Sequence, residues 1–219
     1  MSAETLGPAG VSRPKPIASD STRFGNPPGT LVGRFAGFLM ALMNAPQNRM
    51  MVELLEVRPH DQVLEIGFGP GTALKMLAAR ASAGFVAGIE LSDQMIRAAT
   101  RRNRDSIQRG RLELKRGTVS AIPYDDNRFD KVCTANTIYF WPEPERDAVE
   151  IRRVMHPGGT LVVCFRGEPP EGKRPTRSLP SYPVAVVVET MEHAGYSDVR
   201  AEVRKVPLMM SACVVARKA

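Results

Sequence analysis

One carboxylate and three glycines fall within seven residues, Glu65, Gly67, Gly69 and Gly71, in the stretch VLEIGFGPGT. An apolar run entering a glycine-rich turn opens many nucleotide sites, because glycine admits positive φ and close approach of backbone to ligand. The glycines here alternate, which does not satisfy the G-x-G-x-x-G spacing of a dinucleotide loop. Glu65 sets the sign of the ligand. At about 4 Å it would oppose a phosphate charge by roughly 4 kcal/mol at an effective dielectric near 20, and attract a cation equally. Pro70 acts in the same direction by deleting one backbone N–H that a phosphate would use. The bland alternative is a Glu65 satisfied by the amides of its own loop.

About twenty residues further on, Glu90 ends the run FVAGIE, where a carboxylate can accept two hydrogen bonds from ribose hydroxyls. Its plain alternative is a charge at the start of the helix after Ser92. A third group, Asn136, Thr137, Tyr139, Phe140 and Trp141, follows the run FDKVCTA and could meet a substrate or simply pack as a loop. The three histidines have bland placements: His60 before the first strand, His156 before Pro-Gly-Gly, and His193 in a late helix.

These residues need a framework that brings strand ends together. The runs QVLEI, FVAGIEL, RLELKR, FDKVCTA and GTLVVCF read as strands, and between them TALKMLAARA, SDQMIRAATRRNR and PERDAVEIRRVM read as helices, as does the later PVAVVVETMEHAG. Such alternation implies an α/β fold, a parallel sheet with helices on both faces. The last two strand-like runs, SDVRAEVRKVP and MMSACVVARK, are too close for a crossover helix and must pair antiparallel. Ligands of such sheets lie off the carboxyl ends of the strands, where strand order reverses, which is where the Gly67–Gly71 turn should be.

The 219 residues suit one domain, 29–219, with a mobile Pro- and Gly-rich arm over 1–28 and two helices before the first strand, interrupted around 44–47. Cys133, Cys164 and Cys213 lie far apart in apolar runs and read as small buried side chains, with no disulfide framework or metal spacing. That usage fits a reducing, cytoplasmic setting. The N-terminal residues do not form a secretory signal, and the longest apolar stretch, LVGRFAGFLMALM, is too short to span a bilayer. The net charge of +7 favours anionic partners without naming one. Its clusters are Arg97 to Arg116, read as a solvated helix face, and Arg166 with Lys173, Arg174 and Arg177.

The ligand called for by Glu65 and Glu90 has a ribose and a positive charge. NAD fits the charge poorly, whereas S-adenosylmethionine carries a sulfonium and an ammonium. At these residues the chain resembles the class I S-adenosylmethionine-dependent methyltransferases. VLEIGFGPG is similar to their first motif, GIELSDQMI to the second, RGTVSAIPYDDNRFDKVCTANTIYFW to the third and fourth segments, and RRVMHPGGTLVVC to the fifth. The resemblance implies a Rossmann-like sheet of seven strands, mostly parallel, closed by the terminal antiparallel hairpin. It also implies that Gly67, Phe68, Gly69 and Gly71 lie at the methionine moiety with Glu65 near its ammonium, and that Glu90 holds the ribose. Leu91 and Met95 would flank the adenine, Thr118 and Val119 would meet its edge, and Asn136 would lie near the sulfonium. Thr118 departs from the Asp common in relatives, and His156 from Lys.

The acceptor is less constrained. NTIY lacks both prolines of the N-P-P-Y motif, which disfavours nucleobase N-methylation, and Cys133 sits inside a strand, which disfavours C5 methylation of pyrimidines. Asn136, Tyr139 and Trp141 are the candidates beside the acceptor. The helices over about 29–58 would form a lid, as in the family, and the loop after Arg166 would overhang the site. The first reading is a small-molecule acceptor. A second is a phospholipid amine at a membrane surface, with RFAGFLMALM in lipid and the basic loop on headgroups. A third, of another class, is a sensor that binds the cofactor without turnover; nucleic acid is disfavoured because no accessory module is visible.

Overall fold

The computed structural model describes residues 45–167, 181–206 and 209–219. Helix α1 (Ala45–Leu54) precedes strand β1 (Gln62–Ile66), followed by α2 (Thr72–Arg80), β2 (Phe85–Glu90), α3 (Asp93–Arg102) and α4 (Arg104–Gln108). Then come β3 (Leu112–Arg116), β4 (Phe129–Ala135), a 3-10 turn (Ile138–Phe140), α5 (Pro144–Val154) and β5 (Met155–Arg166). The chain closes with α6 (Val184–His193), β6 (Tyr196–Val206) and β7 (Met209–Lys218). The proposed arm, the first predicted helix and the basic residues Lys173, Arg174 and Arg177 lie outside the described residues. Of the predicted break at 44–47, Ala45 to Gln47 instead belong to α1, where Pro46 is tolerated because first-turn amides have no intrahelical partner.

The seven strands run in the order β3-β2-β1-β4-β5-β7-β6, with β5–β7 and β7–β6 antiparallel and the other pairs parallel. Both sheet faces are covered, so alternate residues of each strand enter different cores. Leu64, Ile66, Val132, Leu161 and Val163 pack with α5 and α6 residues such as Ile151 and Val187. Val63, Val86, Cys133 and Val162 pack with Met50, Met51 and Leu55 of α1 and Leu74 and Leu77 of α2. The segment His156–Gly159 of β5 is accommodated as an irregularity: Phe129 pairs with Met155 but Lys131 with Thr160.

The antiparallel closure corrects one sequence expectation. Cys164 and Cys213, 49 residues apart, are directly opposed across β5 and β7, with Cα atoms 4.1 Å apart, and are joined in a disulfide. Linear distance concealed this pairing, because only the strand register decides which residues face each other. Cys133 is the free, buried cysteine.

Helix α3 is anchored to the start of α2 by Asn103. Its buried side chain donates from Nδ2 to Gly71 O and Ala99 O, each at 3.0 Å. Gly71 has φ +75°, and a Cβ there would stand 2.7 Å from both Ala99 Cβ and Asn103 Nδ2. Gly71 therefore serves helix packing. Gly71→Ala is expected to destabilise the chain by about 2–4 kcal/mol, combining left-handed strain with overpacking, as read by urea denaturation.

Candidate functional site

The turn after β1 lies where the sheet order reverses, between β2 and β4. Three adjacent carboxyl ends contribute to it. Ile66 of β1 pairs with Ile89 of β2 and Thr134 of β4, so Gly67, Glu90 and Asn136 emerge at about the same level.

Glu65 is 4% exposed, and its Oε2 is buried without a hydrogen-bond partner among the described residues. Burial, reinforced by the nearby charge of Glu90, pushes its carboxyl from 4.5 up to about 8. The same burial, with Glu65 opposite, raises the Cys133 thiol well above its ordinary value. Glu90 is the carboxylate that the loop amides satisfy. Gly69 N–H donates to Oε2 at 3.0 Å, and the N–H groups of Leu91 and Ser92 donate to Oε1 at 2.9 Å. The alternative considered for Glu65 thus describes its neighbour.

The glycines divide by function. At Gly67, φ +68°, a Cβ would overlap Thr137 Cγ2, whereas at Gly69, φ +51°, the space beyond is open. Phe68 turns inward, against the space left by Gly88, and is 4% exposed. Leu91 is 51% exposed, Met95 is half-buried on α3, and Val119 is buried while Thr118 is exposed just beyond β3.

The segment after β4 is tied to β1 from within. Thr134 Oγ1 donates to Ile66 O at 2.9 Å and contacts Thr137 Oγ1, which accepts from Trp141 Nε1 at 3.1 Å. Asn136 adopts φ +59°, its N–H donates to Cys164 O, and its Nδ2 donates to Gln47 Oε1 at 2.7 Å. Trp141 and Tyr139 are buried at 1% and 5%, while Phe140 remains exposed. Tyr139 OH accepts from Arg166 N–H at 2.6 Å, and burial raises this phenol to about 12. Gly167 and Tyr182, which flank residues 168–180, are bridged at the end of β5.

Residues 64–163 match the family described as "Methyltransferase domain". The uncharacterized methyltransferase YdaC of Bacillus subtilis is 25% identical over 183 residues, covering 84% of this chain and 97% of that protein. A demethylmenaquinone methyltransferase of Clavibacter sepedonicus is 30% identical over 110 residues, covering 50% of this chain and 43% of that protein. The crystal structure of a SAM-dependent methyltransferase from Aquifex aeolicus superposes with a TM-score of 0.64 at 23% identity, covering 80% of this chain and 90% of that one. The chain thus carries a methyltransferase-domain match over residues 64–163 and has the fold of an S-adenosylmethionine-dependent methyltransferase.

The matched stretch begins at Leu64 and omits α1, so motif reading missed Gln47, which is hydrogen-bonded to the candidate residue Asn136. A signal was present: Gln47 stands at helical spacing from Met50, Met51 and Leu54, a polar residue on an apolar stripe. The histidines stay away from the turn: His60 and His156 are exposed, and His193 pairs with Glu145 at 3.4 Å. A cleft lined by Arg58, Asp61, Lys131 and Arg217 lies at the amino ends of the strands and shares no residue with the turn.

The raised carboxyl has a stability consequence. Between pH 4.5 and about 8 Glu65 holds a proton in the folded ligand-free chain that it has lost in the unfolded chain. Its contribution is therefore fully present below pH 4.5 and falls as pH rises to about 8, by about 1.4 kcal/mol per unit. Glu65→Gln removes this slope. Thermal melts across pH 5–8 should show wild type losing stability relative to the variant, with the variant melting at least about 3 °C higher at pH 8.

Proposed function

We propose that the chain transfers the methyl group of S-adenosylmethionine to a small organic acceptor at the carboxyl edge of β1 and β4. The observation that carries this is Glu65: a buried carboxylate near the end of β1, unpartnered at Oε2 among the described residues, just before the turn where the sheet order reverses. An ammonium supplies the missing donor and the opposite charge together. In this reading the backbone of Gly67 and Gly69 runs beneath the methionine moiety, with Phe68 and Gly71 holding the turn's shape. Glu90 receives a ribose hydroxyl on Oε2, which bears one amide bond and keeps acceptor capacity. Leu91 and Met95 flank the adenine, Thr118 and Val119 meet its edge, and Asn136 lies near the sulfonium.

The nucleophilic atom of the acceptor attacks the methyl carbon as the carbon–sulfur bond breaks. The electron pair of that bond stays on sulfur, giving neutral S-adenosylhomocysteine, and the acceptor releases any proton to solvent. Alignment of the two reactants accounts for about 7–11 kcal/mol of the barrier, so the enzyme's main task is positioning. Exposed Phe140 in the segment after β4 and the similarity to a demethylmenaquinone methyltransferase support a small organic acceptor. Among the described residues no helix is long and apolar enough to cross a membrane.

Incubation with methyl-labelled cofactor and cell extract should yield a labelled low-molecular-weight product, lost with Glu65→Ala. Tight binding of S-adenosylhomocysteine without turnover in any extract would favour a sensor instead. Label extracted with phospholipid would move the acceptor to the membrane surface.

The cofactor reading also predicts a proton. Since Glu65 is protonated at pH 7 when free and faces an ammonium when bound, S-adenosylhomocysteine binding should release about one proton. Calorimetry in two buffers of different ionisation enthalpy measures it. Glu65→Gln should release none from this position and bind at least about tenfold more weakly.

A further inference from the structure

Among the described residues three buried polar side-chain atoms near the turn lack partners: Asn103 Oδ1, behind Gly71, and two of opposite kind on the β1 side. Glu65 Oε2 is an acceptor without a donor, and Gln47 Nε2 is a donor without an acceptor. Gln47 is 0% exposed, and its Oε1 takes the hydrogen bond from Asn136 Nδ2, which turns Nε2 away from Asn136. The two side chains approach from the same side of the sheet. Glu65 alternates with Leu64 and Ile66 along β1, so it shares the face of Val63. On that face Val63 and Cys133 pack with Met50 and Met51, one turn beyond Gln47 on α1. Asn136, which Gln47 holds, leaves β4 at the level of Gly67.

A buried donor left unmade is costly, and a complementary pair of them beside one turn describes the missing ligand. An α-amino acid group fits, because its ammonium donates and its carboxylate accepts on atoms one carbon apart. We infer that Gln47 donates from Nε2 to the carboxylate of the cofactor's amino-acid end while Glu65 receives its ammonium. Helix α1, outside the matched methyltransferase stretch, is then part of the methyl-donor site. The inference rests on the reading of Glu65 given above. A purely structural Gln47 would be a clamp between α1 and Asn136, indifferent to the ligand's carboxylate.

The test is calorimetric titration of the full chain with S-adenosylhomocysteine and with its decarboxylated analogue, S-adenosyl-3-thiopropylamine. Wild type should bind the decarboxylated ligand about 10- to 100-fold more weakly, the range for a hydrogen bond to a charged group. Gln47→Leu should weaken S-adenosylhomocysteine by a similar factor and bind the two ligands within about threefold of each other. Gln47→Glu keeps the acceptor for Asn136 but loses the donors, and should reverse the preference toward the decarboxylated ligand. Either variant folding by circular dichroism yet keeping wild-type discrimination overturns the inference, as does equal binding of both ligands by wild type. Binding of neither ligand by wild type would instead overturn the methyl-donor reading itself.

Discussion

The ligand-free chain buries a carboxylate without a donor for one oxygen, and the organisation of the site follows from that. Glu65 sits on a central strand with a neighbour on each side and helices over both faces, and among the described residues no side chain donates to its Oε2. The fold tolerates this because the carboxyl can hold a proton until about pH 8. In the proposed reading a cationic ligand group would remove the penalty, so stability without ligand and affinity for ligand would be opposed at this one residue.

Around Glu65 the turn is shaped by contacts that each exclude a side chain. Gly67 yields to Thr137, Gly71 to Ala99 and Asn103, and Gly88 to the ring of Phe68, while only Gly69 of the motif faces open space. One glycine in the turn is thus left free to approach a ligand; its neighbours lock the turn onto α3 and the segment after β4. Glu90 adds to the locking, since its Oε2 takes the Gly69 N–H while its Oε1 takes those of Leu91 and Ser92 just beyond β2. The threonine pair Thr134 and Thr137 joins β4 to β1 through Ile66 O, which ties the two strand ends together.

The segment after β4 shows how a sequence pattern can mix two tasks. Tyr139 and Trp141 hydrogen-bond inward and fill the core, whereas Phe140 between them stays exposed. An aromatic run alone cannot separate these, because the 3-10 turn sets which ring faces inward. Helix α1 likewise carries core methionines and, on the same stripe, the buried amide of Gln47.

Sequence by itself determined the sheet and its terminal hairpin, because strand and helix periods alternate without ambiguity from Gln62 onward and the last two runs are too close for a crossover. It also placed a carboxylate, Glu65, just before the three glycines at the end of a strand. Tertiary structure alone decided which polar atoms are satisfied: Glu90 by loop amides, Glu65 Oε2 by nothing, Gln47 by Asn136 on one side only. It also decided that Cys164 faces Cys213. The physical reason is common to all of these. Periodicity is local and can be read along the chain, whereas hydrogen-bond satisfaction and cross-strand register depend on partners 20 to 90 residues away, which only packing brings together.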